Sequence, residues 1–272
     1  MPHSEQKDTT FWGHLEVFRW VIIRCLAVTA GVAIFAFCFK ETLFDNIVLA
    51  PLRQDFVTYR MLCRLGETTG LSSLCPQIDR INLININLAS QFFIHMEIAG
   101  VAALVVAFPY LTTELWMFVK PALYSHERHT AVHGATAFVG LFFVGVATAY
   151  FVIFPLTVNF LGNYQVSTTV VNQISLNSYI STLLTLTFMM GVVFEMPIVA
   201  YFFAKIGMLK SDFLKRYRKV ALVVIMVLAA IITPSTDAFT MMLVVLPLGL
   251  LYEVSRSVVK RVETAEAAAQ SA

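Results

Sequence analysis

Residues 191–207 read GVVFEMPIVAYFFAKIG, and residues 216–253 read RYRKVALVVIMVLAAIITPSTDAFTMMLVVLPLGLLYE. Both stretches are apolar over lengths that a soluble domain rarely sustains, and each carries a carboxylate where a carboxylate is expensive. Glu195 lies inside the first, and Asp237 sits in the Pro-containing turn that divides the second. A charged side chain within a membrane-spanning helix costs roughly 2.5–3.5 kcal/mol on insertion scales, so it faces a protein interior or a polar cavity. Glu195 is therefore expected to line a polar, water-accessible concavity.

Composition agrees with a membrane setting. The chain is 58% hydrophobic and 13% charged, against about 25% charged in soluble domains. A helix needs about 20 apolar residues to cross the hydrocarbon core. Six such crossings are expected: Val21–Phe39, Phe92–Leu111, Ala135–Phe154, Tyr179–Ala204, Val220–Ile232 and Phe239–Val254. The last two are short, and their connecting turn, Thr233 to Asp237, invites local thinning of the bilayer. The fold class is thus an all-α integral membrane protein, with residues 1–258 forming one six-helix membrane domain. A loop of about residues 40–90 projects from it, and residues 259–272 are expected to be a disordered tail.

Lys and Arg in short loops set orientation. Lys205, Lys210, Lys215, Arg216, Arg218 and Lys219 cluster between the fourth and fifth crossings, and Arg256, Lys260 and Arg261 follow the sixth. Lys7, Arg19 and Arg24 flank the first, and Lys120 and Arg128 lie between the second and third. Residues 156–177 and the Thr233–Asp237 turn have none. Both termini are expected in the cytoplasm, with the 40–90 loop outside, since long loops translocate with less regard to charge. The start, MPHSEQKDTT, has no apolar core of a cleavable signal.

In the 40–90 loop, DRINLININLA at 79–89 alternates polar and apolar residues, which predicts an extended segment. Cys63 and Cys75 share the loop. In an oxidising compartment they would form a disulfide, the alternative being two free thiols. Cys25 and Cys38 fall in the first crossing as core residues. His126, His129 and His133 are read as part of a solvated interfacial loop rather than a metal site; no metal and no cofactor is expected. There is no G-x-S-x-G elbow and no Gly-rich phosphate loop, no constellation pointing to an enzyme, and no basic run pointing to nucleic acid. Gly140 and Gly145 are read as small residues permitting close helix packing. Pro109, Pro155, Pro197 and Pro247 are expected to kink helices around a concave surface.

Several stretches together resemble a known family. These are HLEVFR (14–19), FPYLTTELWMFVKPALYSHERH (108–129), YFVIFP (150–155), GVVFEMPIV (191–199), IITPSTDAFT (231–240) and LPLGLLYE (246–253). In order and spacing they resemble TatC, the polytopic subunit of the twin-arginine protein translocase. The resemblance implies a six-helix, glove-like concave bundle that recognises the paired arginines of a signal peptide on folded cargo. It implies signal-peptide contacts from Glu127 in ALYSHER, with Phe118, Glu16, Arg19 and Glu114 nearby, because a carboxylate accepts bidentate hydrogen bonds from guanidinium. Glu195 matches the family's intramembrane glutamate. Thr233, Asp237 and Met241 match the region where small single-span subunits of the TatA/TatB type dock. Partners would further include the lipid bilayer and other copies of the translocase, in a plasma or inner membrane. Three positions depart from the family: Val17 stands where it usually has glutamate, with Glu16 one residue earlier; Glu114 replaces a glutamine; and Met241 replaces a polar residue. The rival reading from the residues themselves is an ion-coupled secondary transporter using Glu195.

Overall fold

The structure, a computed structural model, describes residues 11–70, 82–119, 128–165, 167, 172–234 and 237–271. Long helices dominate it: α1 (Phe11–Cys38), α4 (Ser90–Val119), α5 (Arg128–Thr148) with α6 (Phe154–Asn163), α7 (Leu176–Val193) with α8 (Met196–Lys205), and α11 (Ala238–Ser271). Shorter pieces are α2 (Lys40–Leu43), α3 (Val57–Thr69), α9 (Ser211–Arg216) and α10 (Arg218–Ile232). Five segments are long and apolar enough to cross a membrane: Leu15–Cys38, Ser90–Phe118, Gly134–Asn163, Leu176–Lys205 and Ala238–Ala265. They match the first four expected crossings and the sixth.

The fifth expected crossing is α10, which has 15 residues. At 1.5 Å per residue it is about 22 Å long, shorter than the roughly 30 Å hydrocarbon core. The sixth is not short. α11 has 34 residues, because nothing breaks the helix where apolarity stops at Glu253. Residues 259–271 are correspondingly helix rather than a disordered tail. Val259 is fully buried. The Glu263 carboxylate accepts from the Ser211 backbone N–H at 2.9 Å and from the Ser211 hydroxyl, so the tail helix caps the start of α9.

Two small backbone approaches hold the middle of the bundle. A Cβ on Gly145 would lie 2.6 Å from the Met190 carbonyl oxygen and 2.8 Å from Phe194 Cβ; one on Gly191 would lie 2.7 Å from Phe142 Cε2. Helices α5 and α7 therefore cross at contact distance, as expected for Gly145. Gly140 has nothing within 4 Å and takes no part in the crossing.

Pro155 and Pro197 stand in the first turns of α6 and α8, whereas Pro109 and Pro247 lie inside the continuous helices α4 and α11. Pro155 lacks an N–H, so the carbonyl four residues before it, Phe151, has no helical donor. The Thr58 hydroxyl from α3 donates to it. A π-helical turn, Ala149–Ile153, absorbs the irregularity between α5 and α6. The same join receives a cap built from residues 44–69. Tyr59 Oη shares its one proton between the Pro51 and Pro155 carbonyls, at 3.0 and 3.1 Å, while Tyr150 Oη donates to Ile47 at 2.6 Å and Tyr179 Oη to Val48 at 2.8 Å. Burial pushes the Tyr59 phenol above its usual range, so it stays a protonated donor. The expected extended segment is present as β1 (Leu83–Ile84), which pairs in parallel with β2 (Ile174–Ser175). Ser175 then caps α7 by accepting from the Ser178 N–H at 3.2 Å.

Cys63 is disulfide-bonded, whereas Cys25 and Cys38 are free. Cys75 lies outside the described residues.

Candidate functional site

At one end of the bundle the start of α1 meets the end of α4. The rings of Phe18 and Phe118 are 5.3 Å apart. Glu16 and Arg19 are exposed on the same end of α1, with the Arg19 guanidinium 5.8 Å from the Trp20 ring centroid. Phe118 thus stands beside the two N-terminal candidates. Glu127 and His126 lie outside the described residues.

Glu114 behaves differently from the other candidates. It is 5% exposed. Its Oε1 accepts from Tyr110 Oη at 2.8 Å and lies 3.4 Å from Arg24 Nη1. The carboxylate is turned into the α1–α4 seam, where both of these contacts fall on Oε1. The extra negative charge at that position is matched by a cation on α1 that is 90 residues away in sequence, and no local pattern could reveal the pair. Tyr110 and Arg24 are the residues that sequence reasoning missed; Tyr110 sits at i−4 from Glu114, which is the one readable signal.

Glu195 occupies the turn between α7 and α8, followed at once by Met196 and Pro197, the first-turn proline of α8. It is 5% exposed. The Phe142 backbone is near enough to interact weakly with the carboxyl, but neither carboxylate oxygen makes a hydrogen bond of good geometry. The expected open concavity is not what surrounds it. The turn lies beside the close α5–α7 crossing, where Phe194 packs on Gly145 and Phe142 on Gly191, and the carboxyl is buried there. Burying such a group without a partner costs about 1–3 kcal/mol or more. Glu195→Leu is therefore expected to raise the thermal stability of the purified chain while lowering cargo transport, and Glu195→Gln to keep more transport than Glu195→Leu. Undiminished transport in Glu195→Leu would reduce the residue to packing.

At the α10–α11 corner, Thr233 is buried and donates to the Ala229 carbonyl at 2.9 Å. Asp237 Oδ1 accepts from the Thr240 N–H at 2.7 Å and so caps α11, while Met241 is partly buried against the core. These three residues shape the corner from within. Its outer surface is made by others: Val220, Val223, Val227 and Ile231 on α10, and Met242, Leu246 and Leu250 on α11, all exposed. Their i, i+4 spacing on α11 is a stripe that the sequence carries openly. Behind the stripe, Arg218 Nε lies 2.9 Å from Glu253 Oε1 and Arg256 Nη1 lies 3.1 Å from Oε2, which ties α10 to α11.

The family model described as "Sec-independent protein translocase protein (TatC)" matches residues 13–247. The chain belongs to the TatC family. A TatC protein of Blattabacterium sp. subsp. Periplaneta americana is 32% identical over 254 residues, covering 93% of this chain and 95% of that one. The TatC protein of Carboxydothermus hydrogenoformans is 31% identical over 263 residues, covering 96% and 97%. A crystal structure of a twin-arginine translocase receptor, TatC, superposes with a TM-score of 0.73 at 29% identity, over 92% of this chain and 99% of that one. The fold is that of TatC, a multi-pass, all-helical membrane protein. None of these comparisons supports the ion-coupled transporter reading.

Proposed function

We propose that the chain is the signal-peptide-recognising core subunit of a twin-arginine translocase, which exports folded proteins across the membrane. The observation that carries this reading is the meeting of Phe18 with Phe118. It brings HLEVFR on α1 beside the end of α4, from which the chain enters ALYSHER. Those are the two motifs that the family likeness ties to paired arginines. Glu127 then supplies the main carboxylate and Phe118 packs beside the peptide. Glu16 and Arg19 complete the surface, while Glu114 positions α1 through Arg24. Binding of a twin-arginine peptide to the purified chain, compared with its twin-lysine counterpart, is the test. Equal binding of the two would end this reading.

The Lys and Arg bias of the short loops supports placement in the plasma or inner membrane with both termini cytoplasmic, α10 completing a sixth crossing through thinned bilayer. Small single-span subunits of the TatA/TatB type dock against the exposed stripe of α10 and α11, and several copies associate in the working complex.

On the outer side, Cys63 pairs with Cys75. The chain has four cysteines, and Cys25 and Cys38 are free. Closing a loop of this size contributes about 3 kcal/mol in the chain-entropy account. Peptide mapping of protein alkylated without reductant should recover the two cysteines cross-linked; recovery of both as alkylated thiols would refute the pairing.

A further inference from the structure

Two cavities lie one above the other on the flank of the bundle, and together they have the chemistry of a phospholipid. The upper one, of about 450 Å³, is lined by Lys40, Glu41, Asp45, Gln91 and His95, with Phe44, Phe92 and Ile94 beside them. It sits where one membrane span ends at Cys38 and the next begins at Ser90, hence at the boundary between hydrocarbon and water whichever side that proves to be. Among the described residues, Lys40, Glu41 and Asp45 make no side-chain ion pair. The His95 ring stacks on Phe37 at 3.9 Å, and its Nε2 is shielded from solvent with no hydrogen-bond partner.

The lower cavity, of about 520 Å³, exposes no polar atom; Ile98, Val101, Val105, Phe143 and Leu183 are among its walls. The two share no lining residue, but their walls are neighbours along the same three segments. Ile94 leads to Ile98, Val101 and Val105 along one face of α4, Phe44 leads to Ile47 and Val48, and Leu176 leads to Leu183 down α7. Ile94 and Val105 are about 16 Å apart along the helix axis, which places the lower cavity well into one leaflet.

We propose that this composite site holds an ethanolamine phospholipid. Its phosphate would take the Lys40 ammonium and Gln91, its ammonium would lie between Glu41 and Asp45, and one acyl chain would fill the apolar cavity below. The charges choose the headgroup. Glu41 and Asp45 balance Lys40 and the Arg53 guanidinium, which is held on the Asp45 carbonyl at 2.8 Å; no net positive charge is left for a purely anionic lipid, and a quaternary choline has no N–H to donate to the carboxylates. An apolar peptide segment would fill the groove and leave Lys40, Glu41 and Asp45 unanswered. The inference needs only that the chain spans a membrane and is independent of the signal-peptide reading.

Native mass spectrometry of the full chain in detergent, with ethanolamine, glycerol and choline phospholipids supplied in competition, is the test. The unmodified chain should retain the ethanolamine lipid in preference to both others. Combining Lys40→Gln, Glu41→Gln and Asp45→Asn should reduce that preference about tenfold, as expected for loss of charge-assisted contacts. Glu67→Gln, an exposed change on α3 outside the cavities, should leave it intact. Ala102→Trp, which fills the groove, should lower retention of every lipid. Equal retention of the three headgroups by the unmodified chain would overturn the proposal without reliance on any variant. So would a photoreactive group at Val105 that labels signal peptide and no lipid. Neither result would count against twin-arginine binding.

Discussion

Replacing Glu127 by alanine is expected to weaken binding of a twin-arginine signal peptide by about tenfold or more. Removing one partner of a partly desolvated charge pair commonly costs about 2–5 kcal/mol, whereas an exposed rim charge costs little. Each factor of ten in affinity corresponds to about 1.4 kcal/mol, so even the lower figure is readily measured. Glu127→Gln keeps the shape and an acceptor but loses the charge, and should fall between alanine and the parent. Glu16→Ala should weaken binding less or comparably, because Glu16 is exposed at the start of α1, where water screens it. The protein should reach the membrane at normal abundance in each case. The decisive quantity is discrimination between twin-arginine and twin-lysine peptides. If Glu127→Ala discriminates as the parent does, the role passes to Glu16. Glu114 is a poorer substitute, since it is buried in the α1–α4 seam with Oε1 already taken by Tyr110 and Arg24.

How much of this could be read from residues alone differs from feature to feature, and the differences have physical causes. Apolar windows locate spans well because the bilayer imposes one requirement on all of them: length without charge. Windows cannot find helix ends. Apolarity stops at Glu253, but the helix continues through VSRSVVKRVETAEAAAQS, which is rich in good helix formers and anchored by Glu263 on α9. A hydropathy window sees a short crossing followed by a tail; hydrogen bonding sees one element. The outer cap was hidden for another reason. Its hydroxyl-to-carbonyl bonds link residues separated by 93 to 131 positions, and no sequence period marks a carbonyl left free by Pro155.

The site divides along the same line. Glu195 stands out by chemistry, because a carboxylate in an apolar run is conspicuous. Its enclosure is set by a helix crossing that involves Gly145 and Gly191 from separate elements, and only Gly145 was read as a packing residue. Glu114 shows the converse. It reads as a ligand-facing charge because it lies in a motif next to the peptide loop, but its direction depends on Arg24 on another helix. Residue type conveys what a side chain can do, and the fold decides toward what it is aimed.

That crossing yields the second large expectation. Gly145→Ala should destabilise the chain by about 1–3 kcal/mol, the usual range for overpacking a close-packed contact, and Gly145→Leu should abolish stable accumulation in the membrane. The added Cβ would meet the Met190 carbonyl oxygen at 2.6 Å. That obstacle is backbone, so no rotamer change relieves it, and α5 and α7 must move apart. Gly191→Ala meets the Phe142 ring at 2.7 Å. The ring is fully buried and stacked on Phe108 at 3.5 Å, so it too has little room to yield, and a smaller but definite loss is expected. Gly140→Ala on the same helix meets nothing. It should be neutral or stabilising, since alanine is favoured over glycine inside a helix by about 0.5–1 kcal/mol. Thermal unfolding of the purified variants, followed by light scattering or intrinsic fluorescence, separates the three. The comparison of Gly145→Ala with Gly140→Ala removes helix propensity as an explanation, because both changes improve it. Equal stability of those two variants would mean that α5 and α7 do not cross at contact distance, and the enclosure of Glu195 would fall with the crossing.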